Sequence, residues 1–200
     1  MVRISRGFFE RYTPRVAREL LGWRLVRVLD GERLSGLIVE TEAYRGAGDP
    51  ASHAYRGVTK RNEIMFGQAG RAYVYFTMGM HYCLNITTEP EGIAAAVLIR
   101  ALEPKEGVET MKRNRGVNDL RRLTAGPGNL TRALMVDRRL NGEDLCSSRV
   151  LFLERGGTLQ DIGVSTRVGV SAGAGLRWRF FAKGSPWVSK GKPSVRAQNP

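Results

Sequence analysis

IVETEAYRG (residues 38–46), DPASHAYRGVTKRNEIMFG (49–67) and RAYVYFTMGMHYCLN (71–85) carry more structural information than the rest of the chain. Glutamates, tyrosines, a histidine and an asparagine are interleaved there with β-branched and other apolar residues, an alternation that predicts strands. Polar and aromatic side chains in this mixture suit a cleft that holds a flat aromatic ligand beside a charge. In a chain with a formal net charge of +13, such a cleft points to a nucleic-acid ligand.

The composition indicates one globular domain with a basic surface. The chain has 200 residues, 42% of them hydrophobic, so we expect a single core and one domain over residues 1–200, with the last ten residues as a flexible basic tail. The 32 Lys and Arg residues against 19 Asp and Glu favour a polyanionic partner over a surface kept basic for solubility. One basic cluster is Lys112, Arg113, Arg115, Arg121 and Arg122, and a second, from Ile162 to Pro200, is Arg167, Arg177, Arg179, Lys183, Lys190, Lys192 and Arg196.

The N-terminal sequence and the cysteines bear on the cellular compartment. MVRISRGFFERY has no apolar signal-peptide region, and no apolar run reaches transmembrane length. Cys83 and Cys146 have no CxxC spacing, which argues against a disulfide framework or a structural zinc site. We therefore expect a soluble, cytoplasmic protein, nucleoid-associated in a bacterium and not secreted.

Cap, turn and alternation signals predict an α+β fold: a single compact domain with a curved, mainly antiparallel β-sheet flanked by helices. Thr13 as N-cap and Pro14 predict a helix that ends at Gly22. The predicted strands are WRLVRVL (23–29), LSGLIVETEA (34–43), RAYVYFT (71–77), HYCLNIT (81–87), AAAVLIRAL (94–102), VLFLE (150–154), STRVGV (165–170) and WRFFAKG (178–184). Further helices are predicted in LEPKEGVETMKR (102–113) and GPGNLTRALMV (126–136), with a loop at 45–57 and a helical turn at 61–66.

Strand alternation predicts which residues of 37–44 share a face. One set, the expected core face, is Leu37, Val39, Thr41 and Ala43, and the other is Ile38, Glu40, Glu42 and Tyr44. A solvated outer face is the simplest interpretation of the glutamates. Arg100 favours burial instead, because it is the only charged residue from Gly92 to Leu102 and a buried guanidinium needs a carboxylate partner. A purely structural ion pair is the alternative to a catalytic one.

Other polar residues have a plain interpretation beside a functional one. Asn85 lies in an apolar run, where its amide either bonds to backbone or is held out for a ligand. Tyr44, Tyr73 and Tyr75 are core aromatics or the walls of a base pocket, and His53 is a solvated loop residue or part of that pocket. The histidines with Glu40, Glu42 and Asp49 form no recognisable metal-binding spacing, so we expect no metal and no cofactor.

A set of motifs resembles the alkyladenine (3-methyladenine) DNA glycosylases in order and approximate spacing. The motifs are IVETEAY, SHAYRG, the Arg61–Asn62 pair, MFG, YVYFTMGMHYCLN, LIRALEP, GPGNL, RVGV and KGSPWVS, and they extend over nearly the whole chain. The departure is Met78, where the family often has tyrosine. The resemblance implies a monofunctional enzyme of base excision repair without strand-cleaving lyase activity.

Such an enzyme flips alkylated or deaminated purines (3-methyladenine, 7-methylguanine, hypoxanthine, ethenoadenine) from double-stranded DNA and hydrolyses the N-glycosidic bond. The resemblance also implies a monomer that has no membrane partner. A non-catalytic nucleic-acid-binding module stays open as an alternative, as does a metal-dependent nucleic-acid hydrolase, which chelators would inhibit.

Carried over position by position, the resemblance assigns roles to individual residues. Glu42 is the expected general base, with Arg100 and the main-chain carbonyl of Val168 helping to hold the attacking water. The expected base pocket is formed by Tyr44, His53 and Tyr75, with Asn85 crowding the 2-amino group of guanine. Met78 is the expected wedge that fills the gap left by the flipped nucleotide, and Met80, His81 and Arg61 are further expected DNA contacts.

Overall fold

Eight strands form one antiparallel sheet in a computed structural model that describes residues 3–194. The strands are β1 (Arg24–Leu29), β2 (Glu32–Arg45), β3 (Ala72–Thr77), β4 (His81–Thr87), β5 (Ala95–Glu106), β6 (Leu151–Glu154), β7 (Ile162–Ser165) and β8 (Arg179–Ala182). Their main order is β3-β4-β5-β2-β1-β6, with β8 beside β2 and β7 beside β8. The sheet curls into a half-barrel, and the predicted α+β fold class is confirmed.

Five short helices pack against this sheet within the described residues. They are α1 (Arg6–Phe9), α2 (Thr13–Glu19), α3 (Val108–Arg115), α4 (Leu120–Leu123) and α5 (Pro127–Ala133), with 3-10 helices at Glu63–Phe66 and Arg138–Leu140. Helices α2 and α5 lie against β2, β4 and β5 and bury the main apolar cluster between them, including Val16, Ile38, Leu84, Ile99 and Leu130. The other side of the same strands is free to form a cleft.

The long strand β2 organises the sheet because it changes partner halfway along one edge. Its first part pairs with β1 up to Leu37, and Glu40 to Glu42 pair with β8, while β5 runs along the opposite edge. The register with β5 shifts on both sides of Glu40, which marks a β-bulge. A bulge inserts an extra residue and bends the strand.

This bulge overturns part of the predicted face assignment. Ile38, predicted to lie opposite the core, is buried in the main cluster, and Val39 lies in a separate small cluster with Ala101 and Ala182. Thr41 and Ala43 do lie on the core side, where the Thr41 hydroxyl donates to the carbonyl of Ala17 in α2. Strict alternation fails because the extra residue shifts the pattern by one position.

The predicted elements are largely present, with corrections at their ends. The capping residue of α2 is Tyr12 rather than Thr13, whose hydroxyl instead donates to Glu89. The predicted helix at 102–113 is strand up to Glu106 and helix only from Val108, after Gly107 adopts a left-handed φ of 68°. The predicted strand at 165–170 ends at Ser165, so Arg167 and Val168 lie in a loop.

Only some residues of the second basic cluster are exposed at the surface. Arg167 and Arg179 are buried in ion pairs, whereas Arg177, Lys183, Lys190 and Lys192 are exposed. Arg196 and most of the predicted tail lie outside the described residues; Pro193 and Ser194 pair with the 166–170 loop. Among residues 3–194 no helix has the length and apolar character needed to cross a bilayer.

Candidate active site

The predicted site residues converge on the face of the sheet opposite helices α2 and α5. Strand register aligns Tyr73 with Asn85, Asn85 with Leu98, and Leu98 with Glu42 across β3, β4, β5 and β2. Tyr75 faces Cys83 two pairs further along the β3–β4 ladder, on the same face of the sheet. A pocket of about 280 Å³ opens over these positions. Its lining includes Tyr44, His53, Tyr73, Tyr75, Met78, His81, Cys83, Asn85, Arg100, Pro127 and Val168.

Glu42 is a fully buried carboxylate held by three donors, and the three residues that supply them all line this pocket. Oε1 accepts the Val168 backbone N–H at 2.7 Å, and Oε2 accepts the Tyr44 hydroxyl at 2.8 Å and Arg100 Nη1 at 3.2 Å. A solvated face for the glutamates, the simplest interpretation from sequence, is therefore wrong. A carboxylate has about four lone-pair positions, so the three bonds leave one on Oε1 for a further donor.

Tyr44 is suited to remain a hydrogen-bond donor to Glu42. Burial, and beyond it the neighbouring charge of Glu42, raises the pKa of the Tyr44 phenol well above its usual value. The phenol therefore keeps its proton at neutral pH and fixes the orientation of the carboxylate.

Glu40 forms a second buried charge cluster directly behind Glu42. Oε1 accepts Arg100 Nε at 2.8 Å, Arg179 Nε at 2.7 Å and the Ser189 hydroxyl at 2.9 Å, and Oε2 accepts the Ser189 N–H at 2.7 Å. Burial opposes ionisation of Glu40, but Arg100 and Arg179 outweigh it and lower its pKa. Arg100 thus bridges the two glutamates, as its isolated position in an apolar run predicted.

The aromatic walls of the pocket pack on one another. The ring centroids of Tyr73 and Tyr75 are 5.2 Å apart, and His53 meets Tyr75 edge-on at 4.5 Å. Burial raises the pKa of Tyr73 to about 12, so it too stays protonated. Two tyrosines with an edge-on histidine form a slot that suits a planar ring.

His53 is held at the pocket mouth by its neighbours. Its Nδ1 lies 2.9 Å from the Tyr73 hydroxyl, and its carbonyl accepts the side-chain amide of the buried Asn62 at 2.8 Å. Burial of the ring and the nearby positive charge of Arg61 lower the pKa of His53, which favours the neutral imidazole. His53 is thus an exposed loop residue, as one interpretation expected, and it also lines the pocket through its contacts with Tyr73 and Tyr75.

Asn85 is buried, and its amide nitrogen donates to the Tyr73 carbonyl at 3.1 Å. This is the bond to backbone that one of the two interpretations expected. Asn85 still lines the pocket beside Leu98. Asn85 therefore joins β4 to β3 through this bond, and its role in crowding the 2-amino group of guanine stays a prediction.

The β3–β4 turn projects apolar side chains beside the pocket mouth. Met78 and Met80 are 78% and 70% exposed, and Met78 adopts a left-handed φ of 52°. His81 begins β4 and lines the pocket, and Arg61 lies over the Tyr75 ring at 5.0 Å. Exposed methionines at a pocket rim are typical of a surface that contacts a partner.

The carboxylates once considered as metal ligands are engaged by arginines. Both oxygens of Asp49 accept Arg167 at 2.7 Å, and Glu40 is shared by Arg100 and Arg179. Across residues 3–194, no group of three or more His, Cys, Asp or Glu side chains is arranged to hold a metal ion.

Sequence reasoning missed three contributors to the site. Arg167 and Arg179 belong to the predicted basic cluster, and Ser189 belongs to the KGSPWVS motif without a predicted role of its own. Arg179 follows a tryptophan and precedes two phenylalanines, an apolar setting like that of Arg100, and this signal could have identified it. No comparable local signal marks Ser189, whose partners come from β2 and β5.

Known proteins are similar to this chain over nearly its whole length. The family model described as "Methylpurine-DNA glycosylase (MPG)" matches residues 7–186. A protein of Carboxydothermus hydrogenoformans is 50% identical over 189 residues, covering 94% of this chain and 98% of its own. A protein of Chlorobium phaeovibrioides is 47% identical over 197 residues, which cover 97% of this chain and 100% of its own. A protein of Methanocella arvoryzae is 49% identical over 194 residues, which cover 95% of this chain and 97% of its own. All three are named "Putative 3-methyladenine DNA glycosylase".

Proposed function

Because the chain belongs to the methylpurine-DNA glycosylase family, we propose that it is a monofunctional glycosylase that flips damaged purines from duplex DNA and hydrolyses their N-glycosidic bond. The observation that carries the proposal is the Glu42 carboxylate, buried beneath a tyrosine-lined pocket and fixed by Val168, Tyr44 and Arg100. We propose 3-methyladenine, 7-methylguanine, hypoxanthine and ethenoadenine as its substrates.

In this mechanism Glu42 acts as the general base. The base leaves C1′ with the electron pair of the glycosidic bond, which gives the sugar oxocarbenium character, and a water adds to C1′ while Glu42 accepts its proton. The products are an abasic site and the free base: cationic 3-methyladenine and 7-methylguanine leave as neutral molecules, whereas hypoxanthine and ethenoadenine leave as anions that take a proton from water. The remaining lone-pair position on Oε1, next to the Val168 N–H, is where the water would bind, with the Val168 carbonyl as its second partner.

The pocket supports selection of alkylated purines. Alkylation at N3 or N7 gives the purine a positive charge, and tyrosine faces attract cations through their ring quadrupole. Tyr44, Tyr73 and Tyr75 all line the pocket, and His53 closes its mouth as a neutral ring. Asn85 would crowd the 2-amino group of a normal guanine.

The β3–β4 turn is the proposed wedge. Met78 would fill the space left in the stack by the flipped nucleotide, with Met80, His81 and Arg61 against the flanking nucleotides. Unstacking a base step costs a few kcal/mol, and the exposed apolar turn offsets part of that cost when it enters the duplex.

A basic groove next to the pocket is the proposed track for the DNA backbone. It has a volume of about 600 Å³ and is lined by Arg115, Arg121, Arg122 and Lys190. Among the described residues none of these four is in an ion pair. Ala125 lines the groove, and Pro127, two residues further along the chain, lines the pocket. Burial, and then the charges of Arg132 and Arg122, lower the pKa of Arg115, so these cations repel one another and an anion would relieve that repulsion.

Duplexes with a single lesion test the proposal directly. The four lesions above are incubated with the protein, with excess EDTA in one arm and borohydride in another, and scored for free base and for strand nicking. We expect free base without nicking, undiminished by EDTA, and no adduct trapped by borohydride, because the mechanism uses no metal and no amine nucleophile. Binding without base release would instead identify a non-catalytic nucleic-acid-binding module.

A further inference from the structure

A buried ion pair outside the pocket lies next to two of the three donors that hold Glu42, Tyr44 and Val168. Asp49 and Arg167 are both fully buried and meet in a bidentate pair, Nη1 to Oδ2 and Nη2 to Oδ1, each at 2.7 Å. Arg167 Nη1 also donates to the Ala43 carbonyl at 3.0 Å, and Nη2 to the Gly173 carbonyl at 3.3 Å. The Arg167 guanidinium therefore makes four hydrogen bonds to three residues.

The first connection runs from Arg167 to Tyr44. The guanidinium lies 4.6 Å from the Tyr44 ring centroid and 5.6 Å from that of Trp178. Stacking of a planar guanidinium fixes the orientation of the ring it covers. Since the Tyr44 hydroxyl donates to Glu42, the orientation of this ring decides where that donor points.

The second connection runs along the backbone to Val168. Arg167 and Val168 lie in a loop that contains no strand, and the Val168 N–H donates to Glu42 at 2.7 Å. The ion pair anchors the residue before this N–H, and the Ser194 N–H, which donates to the Arg167 carbonyl at 2.7 Å, holds the same loop.

The third connection runs from Asp49 to the loop that carries His53. The Asp49 carboxylate also accepts the backbone N–H groups of Arg45 and Ala51, each at 3.2 Å. One ion pair thus joins the end of β2, the pocket-mouth loop and the 166–170 loop.

We propose that the Asp49–Arg167 pair is a positioning device that sets the geometry of Glu42 through two of its three donors, Tyr44 and Val168, and that excision depends on it. The inference rests on the proposed function and extends it to residues that touch neither the base nor the water. A buried ion pair is weak evidence for a stability role, because apolar replacements of such pairs are often neutral or stabilising. Misplacement of reacting groups by about 1 Å can cost about 100-fold in rate, which gives the pair a reason to be retained here.

The test is single-turnover excision of 7-methylguanine at saturating protein, together with lesion-duplex affinity and melting temperature. Asp49→Asn keeps the shape but removes the charge, and Arg167→Lys keeps the charge but loses the planar fork. We expect each to slow excision by about 10- to 100-fold, with duplex affinity within about threefold of the wild type. Guanidinium ion should restore part of the rate of Arg167→Ala, and an equal concentration of sodium chloride should not.

Asp144→Asn is the matched control, since it breaks the Arg6–Asp144 ion pair away from the pocket. This variant should excise at the wild-type rate. Folded Asp49→Asn and Arg167→Lys proteins with wild-type rates would overturn the inference, as would rate losses that only follow the folded fraction or that guanidinium leaves unchanged. A wild-type protein that releases no base from any lesion would instead overturn the proposed function itself.

Discussion

At the scale of single residues, the site depends on polar groups whose partners are fixed by backbone geometry. Glu42, Glu40 and Asp49 are all fully buried, and each is held by arginine or by neighbouring N–H and O–H donors. A buried charge without such partners would be costly. The arrangement predicts that substitutions lining the pocket change selectivity while leaving the fold intact.

Asn85→Ser should relax discrimination against the 2-amino group. The smaller side chain gives up the bond to the Tyr73 carbonyl and leaves room beside Leu98. We expect excision of 7-methylguanine and of guanine to rise relative to hypoxanthine, by roughly 10-fold, the scale at which a pocket discriminates a small group. The measurement is single-turnover excision. If the excision rates of all three bases change by the same factor, Asn85 has only a structural role.

Met78→Tyr should favour the flipped state. A flat, rigid ring stacks on neighbouring bases better than a flexible thioether, by about 1 kcal/mol on the scale of base–aromatic stacking. The gain should be greatest for well-paired lesions such as hypoxanthine opposite thymine, and Met78→Ala should have the opposite effect. 2-Aminopurine fluorescence beside the lesion measures this; if neither variant alters it, Met80 or His81 is the better wedge candidate.

At the scale of elements, the β3–β4 turn presents Met78 at a conformational cost. Met78 and Gly79 have φ of 52° and 64°, and the Met80 N–H donates to the Thr77 carbonyl, as in a type I′ turn. Such turns favour Asn-Gly, since non-glycine residues are strained at positive φ. The turn therefore sacrifices some stability for the side chain that it exposes.

Met78→Asn should consequently stabilise the fold while weakening base flipping. Relief of the left-handed strain should raise the free energy of unfolding by about 1 kcal/mol, and loss of the wedge should lower the 2-aminopurine signal. Gly79→Ala serves as the opposite control, because it adds strain at the next position. Urea unfolding of the three proteins checks this, and a destabilised Met78→Asn protein would show that the turn is not strained.

Sequence alone predicted the elements well and their faces less well. The strands, helix α5 and the loop at 45–57 follow from local alternation, proline and glycine. The β2 bulge could not be foreseen, because it arises where β2 exchanges β1 for β8, a tertiary event. The same limit explains why 165–170 looked like strand but forms a loop bound to Asp49 and Glu42.

The part of the site that the sequence predicted correctly rests on a single charged residue in an apolar run. Arg100 in an apolar run required a carboxylate, and the structure pairs it with both Glu40 and Glu42. The carboxylate partners of Arg167 and Ser189, Asp49 and Glu40, lie 118 and 149 residues away in sequence, so no local pattern identifies these contacts. Only the fold brings those segments together.

At the scale of the whole molecule, the net charge of +13 includes the cations of the basic groove that we propose as the track for the DNA backbone. Arg121→Gln with Arg122→Gln in the basic groove should reduce the slope of log affinity against log salt by about 2, since each phosphate contact contributes about 0.9. The matched control is Arg149→Gln with Arg155→Gln, which removes the same charge at the two ends of the edge strand β6. An equal slope change in both pairs would mean that net charge alone, and not the groove, attracts DNA.

The central claim is that the buried Glu42 carboxylate activates the water that releases the base. Glu42→Gln keeps the side-chain shape, and its amide oxygen can still accept the Val168 N–H, but it removes the base. The most direct measurement is single-turnover excision from a 7-methylguanine duplex, with the exposed Glu63→Gln as control. We predict a loss of at least ~100-fold for Glu42→Gln with lesion binding largely retained; excision near the wild-type rate by that variant would contradict the account.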